Sequence, residues 1–137
     1  MRVAVVFFSG RNRDGMMRIA QAVARGIEKQ GNQVDTFEGA RDSNAKLTIY
    51  QYLVVGAETI GTLGGKIPDA VKTFLSGAGA VSGKKSYAFV SKATFGAGKS
   101  LAALMKCMEG EGMFLKNSDI LRSPTEAEEI GRRLRIG

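Results

Sequence analysis

Val3-Ala4-Val5-Val6-Phe7-Phe8, closed by Ser9-Gly10, is a continuous run of apolar, β-branched and aromatic residues. The run is too short for periodicity to separate strand from helix. Its β-branched content and Ser-Gly stop favour a strand buried on both faces. Just downstream, Met16, Ile19, Ala20, Val23 and Ile27 recur at helical spacing, with Asp14 as the expected N-cap, Lys29 in the last turn and Gly31 past the end. The spacing predicts a helix over residues 15–30. A buried strand that hands over to a helix through a short polar loop is half of a parallel crossover.

The same unit recurs. Tyr50 to Val55 reads as a strand, Gly56 to Gly65 as a loop, and Ile67, Ala70, Val71, Phe74 and Leu75 as a helix with Pro68 in its first turn. Ser86 to Val90, Lys92 to Gly98 and Leu101 to Met108 repeat the pattern. Gln33 to Phe37 makes a short strand, followed by a polar loop from Glu38 to Lys46, and Met113 to Leu115 makes the fifth strand. Ser123, Pro124 and Glu126 combine an N-cap, a first-turn proline and a capping-box glutamate, starting a last helix through Ile130 and Leu134. Five strands alternating with four helices imply parallel pairing, and right-handed crossovers put helices on both faces. The expected class is α/β, a doubly wound five-stranded parallel sheet in a three-layer α/β/α sandwich, with residues 1–137 as one domain. In such a sheet the three Gly-, Ser- and Thr-bearing loops emerge at one carboxyl edge. Helix N-termini there expose unpaired N–H groups that favour an anionic, phosphorylated ligand.

Composition narrows the chemistry. The chain has 137 residues, 44% of them apolar, enough for a core without disulfides or metal. Its one cysteine, Cys107, sits inside a helical pattern, so it forms no intramolecular disulfide; it reads as a buried small apolar residue rather than a reactive thiol, and fits a reducing cytoplasm. There is no basic-then-apolar leader and no run approaching the ~20 apolar residues of a spanning helix, so a soluble cytoplasmic protein without membrane contact is expected. The absence of histidine removes the usual general base and the commonest metal ligand, and points to cofactor chemistry. The formal charge of +7 includes Arg11, Arg13, Lys66, Lys92 and Lys99 in or beside the loops, where they either attract an anion or form solvated surface. Nucleic-acid binding has net charge as its sole support, without a stacking platform or recognised motif, and is not the expected function.

Each loop has two readings. Ala93-Thr94-Phe95-Gly96-Ala97-Gly98-Lys99-Ser100 fits a relaxed nucleotide P-loop, but no later apolar strand ends in an aspartate for magnesium. Ser9-Gly10-Arg11-Asn12-Arg13-Asp14-Gly15 converges hydroxyl, amide and backbone donors on one point, as a monophosphate requires; the alternative is a βα turn carrying solvated arginines. The loop from Gly56 to Gly65 is longer than the roughly 2 to 6 residues a βα connection needs. Its backbone could lie against a flat ring, with Thr59 and Thr62 bonding ring edges, or it is simply a mobile loop. Phe95, the only aromatic in the three loops, could stack on such a ring.

Together these residues resemble the flavodoxin family over nearly the whole chain. Tyr50-Gln51-Tyr52-Leu53-Val54-Val55-Gly56, the Gly-rich loop and Ile67-Pro68-Asp69-Ala70-Val71-Lys72-Thr73-Phe74-Leu75 are similar to that family's central segment, and strand one with Ser9, Ile19 and Ala20 matches as well. The resemblance implies strand order 2-1-3-4-5, with FMN at the switch between strands one and three. It implies that Ser9, Gly10, Arg11, Asn12, Arg13, Asp14, Gly15 and Met16 wrap the FMN phosphate. Ala57, Glu58, Thr59, Ile60 and Gly61, with Lys92, Ala93, Thr94, Phe95 and Gly96, would flank the isoalloxazine. The family's phosphate loop offers hydroxyls and glycine where this chain has Arg11, Arg13, Asp14 and Met16, Glu58 stands where many relatives have proline, and this chain is basic where electron-carrying flavodoxins are typically acidic. Arginine can replace hydroxyls through charge-assisted contacts to a phosphate. The expected function is an FMN-binding redox protein passing electrons to an unidentified protein partner, the alternative a flavin-free binding or regulatory module of the same fold.

Overall fold

The computed structural model describes residues 1–137, and the chain runs β1 (Arg2–Phe8), α1 (Arg13–Glu28), β2 (Gln33–Glu38), β3 (Tyr52–Ala57), α2 (Ala70–Ser76), β4 (Lys85–Ser91), α3 (Ala97–Gly110), β5 (Phe114–Leu121) and α4 (Pro124–Arg133). The sheet is parallel throughout in the order β2-β1-β3-β4-β5. That is the expected doubly wound α/β architecture. The strand alternation divides the core in two. Val3, Val5 and Phe7 of β1 pack with α1 and α4, while Ala4, Val6 and Phe8 pack with α2 and α3. All six are buried, and each fully buried large apolar side chain contributes about 1.5–3 kcal/mol, so a strand lined on both faces is strongly held. No helix is long and apolar enough to cross a membrane.

Several boundaries differ from the sequence reading. Helix α1 starts two residues early, and its cap is Asn12 rather than Asp14: the Asn12 Oδ1 accepts the Gly15 N–H at 3.0 Å. Asp14 instead lies in the first turn, beside the positive dipole end. Pro68 precedes α2 rather than opening it. Cys107 is half-buried rather than buried; it packs at the margin of the α2/α3 core, and burial with the nearby Glu111 pushes its thiol pKa up. The largest difference is β5, eight residues instead of three. It is an edge strand in which every residue but Leu121 is exposed or half-buried and the middle, Lys116 to Asp119, is polar, so it lacks the apolar run that marks β1, β3 and β4. Its register slips at Ser86/Tyr87: Leu115 faces Ser86, Asn117 faces Tyr87, and Lys116 is left over as a bulge.

The α4 start follows the sequence closely. Ser123 Oγ accepts the Glu126 N–H at 3.2 Å, and the Glu126 carboxylate reaches back to the Arg122 N–H at 3.0 Å, one residue before the cap. Ser123→Ala is expected to cost about 1 kcal/mol in urea unfolding. A change of only a few tenths would mean that packing against α1 alone holds this end.

Helices α1 and α4 cross at glycines. A Cβ on Gly26 would lie 2.2 Å from Glu128 O and 2.7 Å from Arg132 N, and one on Gly131 would lie 2.3 Å from Val23 O. The contact is flanked by Arg25 and Lys29, which both donate to Glu128, and by Gln30, whose Nε2 donates to the Gly131 and Leu134 carbonyls. This crossing fixes the axis of α1, and with it the position of the α1 N-terminus at the carboxyl edge of the sheet.

Candidate functional site

Three loops meet at the carboxyl ends of β1, β3 and β4: residues 9–12, residues 58–69 and residues 92–96. The first two are joined through Glu58. Its N–H donates to Phe8 O at 2.9 Å, extending the β1–β3 ladder one step past the strands. Its side chain then turns across the edge. The Glu58 carboxylate accepts the Gly10 N–H at 2.8 Å and the Asn12 N–H at 3.2 Å to each oxygen. Two amides of the first loop therefore converge on an oxyanion at the start of α1, the arrangement such a loop makes for a phosphate. A Cβ on Gly10 would lie 2.5 Å from Ile60 Cγ2, so the first loop lies directly on the second.

The basic residues of the first loop separate. Arg13 is engaged elsewhere: its Nε and Nη2 donate to the two Glu38 oxygens at 2.7 and 2.8 Å, at the end of β2. That paired bond, chiefly through hydrogen bonding, raises the Arg13 pKa and holds the Glu38 carboxyl below its ordinary range. Arg11 is exposed and lines a crevice of about 390 Å³ with Glu58, Thr59, Ile60, Gly61 and Thr62. Met16 and Ala57 are buried in the core on opposite faces of the sheet.

The second and third loops close on one another. Ile60 and Lys66 exchange backbone hydrogen bonds at 3.0 and 3.2 Å, making a hairpin whose tip is residues 61–65. The hairpin is tied down at both sides. Thr59 Oγ1 donates to Ser91 O at 2.9 Å and the Thr59 N–H to Ser91 Oγ at 3.2 Å, so the hydroxyl proton is already used and only the oxygen's acceptor capacity is left for a ring edge. Ser100 Oγ, fully buried, donates to Lys66 O at 2.7 Å. The tip rests on the third loop, backbone against backbone. A Cβ on Gly64 would sit 1.8 Å from Phe95 O, and one on Gly96 would sit 2.3 Å from Gly65 N. The Lys99 side chain covers Gly65, so Lys99 and Ser100 of the P-loop-like string serve packing in this structure.

Between these loops lies a crevice of about 170 Å³ bordered by Thr59, Gly61, Thr62, Ala93, Thr94 and Phe95. The expected ring-flanking segments thus share one cleft. Phe95 stands at its mouth, 64% exposed, with no core contact to hold it. A third cavity, about 290 Å³, opens between α1, the end of β4 and the start of α4 and is lined by Glu58 together with Arg18, Lys92 and Arg122. Arg18, Ser91 and Arg122 carry no loop motif. Nothing local marks them; only the sheet order brings them to Glu58.

No family model matches the chain, and no curated protein matches it. Solved structures do. It superimposes on a flavodoxin from the domain Archaea with TM-score 0.72 and 19% identity, over 96% of this chain and 94% of that one. Oxidised flavodoxin 1 from Bacillus cereus gives 0.74 and 16%, over 98% and 100%. Two-electron reduced Megasphaera elsdenii flavodoxin gives 0.69 and 20%, over 96% of each. The fold is flavodoxin-like.

Proposed function

We propose that this chain binds FMN without a covalent link and carries electrons through it. One observation bears most of the weight: the Gly10 and Asn12 amides converge on an oxyanion at the β1/β3 carboxyl edge, beside the cleft between the second and third loops. A sheet of this order takes its ligand where the strand order reverses, between β1 and β3. The flavodoxins among the structural neighbours support the same reading.

The donor set suits a phosphate-bearing flavin. Gly10 and Asn12 N–H, the Ser9 hydroxyl and the Arg11 guanidinium would hold the phosphate, while residues 57–61 and 92–96 would flank the ring. FMN supplies one- and two-electron redox chemistry when bound, so no side chain of the chain has to act as acid or base. The protein's part is to orient the ring against backbone, shield one side of it and set the local field through Lys92 and the loop dipoles.

A second reading, a flavin-free binding or regulatory module, is favoured by Glu58 standing in the cradle. Reconstitution separates the two. Protein incubated with FMN and desalted should retain flavin absorbance and quench flavin fluorescence; retention of none favours the module. Phe95→Ala is expected to weaken FMN by about 1 kcal/mol, roughly fivefold, with the unfolding midpoint unchanged. If the midpoint falls and affinity holds, the third loop is not the ring site.

A further inference from the structure

Glu58 is a charged side chain in the place of a ligand's charge. Its carboxylate is in no salt bridge and is held by the backbone donors of Gly10 and Asn12. We propose that Glu58 is an internal competitor for the ligand phosphate: it fills and pre-shapes the cradle in the free protein and must leave when a phosphate enters. The proposal rests on the FMN reading for the identity of the ligand, and concerns the same cradle.

Three observations carry it. The two amides that a phosphate would use are the two that Glu58 uses, at 2.8 and 3.2 Å, so both anions cannot be seated at once. Charge forbids a compromise, because a carboxylate and a phosphate dianion in contact repel strongly. There is also somewhere for the carboxylate to go. The Glu58 backbone is pinned to Phe8 O while its side chain borders two cavities. One contains Arg18, Lys92 and Arg122, none of which is in a salt bridge, and the other contains Arg11. A displaced carboxylate therefore moves from backbone dipoles to free cations, and the loop keeps its shape in both states.

The consequence is selective. Removing the carboxylate raises affinity for ligands that bring a phosphate and leaves those without one alone. Glu58→Ala is expected to bind FMN at least tenfold tighter than the parent, and Glu58→Gln, which keeps an acceptor but no charge, to fall between. Riboflavin, lacking the phosphate, should bind all three proteins equally. FMN affinity unchanged or lowered in both variants overturns the proposal, and so does an equal gain for riboflavin.

Inorganic phosphate tests the cradle without a flavin. Followed by the amide NMR shifts of Gly10 and Asn12, phosphate should saturate Glu58→Ala at a concentration at least tenfold below that for the parent. If no protein binds either flavin, the FMN reading fails, and this titration alone decides the role of Glu58: equal or absent shifts in parent and variants overturn it. If both ligand-free variants lose the dispersed shifts of the first loop, Glu58 is a structural brace and the proposal is likewise overturned.

Discussion

Replacing Gly26 by Ala is expected to destabilise the protein by about 2–3 kcal/mol, the reverse of what helix propensity dictates. In an open helix Ala is the better former by about 1 kcal/mol. Here the added methyl would meet the α4 backbone at Glu128 O, Arg132 N and Gly131 C, all within 2.8 Å, and none of these atoms can rotate aside. The helices must part. Parting them loosens Val23, Ile27 and Ala127 beneath the crossing and pulls on the Glu128 and Gln30 hydrogen bonds at its rim. Denaturant unfolding should show a lower midpoint at an unchanged slope, and thermal unfolding a fall of roughly 5–10 °C. A stabilised Gly26→Ala would mean that the crossing has room the structure does not show.

Gly64→Ala and Gly96→Ala are each expected to reduce flavin affinity at least about tenfold, or 1.4 kcal/mol. Both positions have positive φ, 70° and 80°, which a non-glycine residue adopts at a cost on the order of 1–3 kcal/mol. Each new methyl also lands on the backbone of the opposite loop. Strain and overlap are relieved together if the hairpin lifts from residues 95–96, and that movement opens the cleft. FMN and riboflavin should lose affinity alike, because the change concerns the ring and not the phosphate. Undiminished binding of both flavins would place the ring elsewhere.

Much of the fold was legible because parallel strands buried on both faces have little choice of residue. The β1 run Val3 to Phe8 and the α1 stripe of Ile19, Val23 and Ile27 announce themselves, and Ser123-Pro124 marks the α4 start. The edge strand β5 did not, since solvent on its outer side removes the apolar signal. Asn12 was legible in principle. An asparagine three residues before Gly15 is as good a cap as Asp14, and it is the Asn12 Oδ1 that accepts the Gly15 N–H. The site was legible only as three loops at one edge. That Glu58 fills the first loop from 46 to 48 residues away, and that Glu38 withdraws Arg13 from it, are products of the sheet order, to which no local pattern corresponds.

The leftover residue in β5 bears on how copies of the chain treat one another. A parallel sheet ends in a strand whose outer N–H and C=O groups can template another chain, and β5 carries the exposed apolar side chains Phe114 and Ile120 there. Lys116, at the bulge, interrupts that template. An incoming strand would have to match an uneven ladder, and Lys116 holds its ammonium 4.9 Å from the centre of the Phe114 ring, putting a cation over the most exposed apolar group on the edge. Edge-to-edge stacking, the first step toward aggregation of a β-rich surface, is thereby disfavoured at the β5 edge of the sheet.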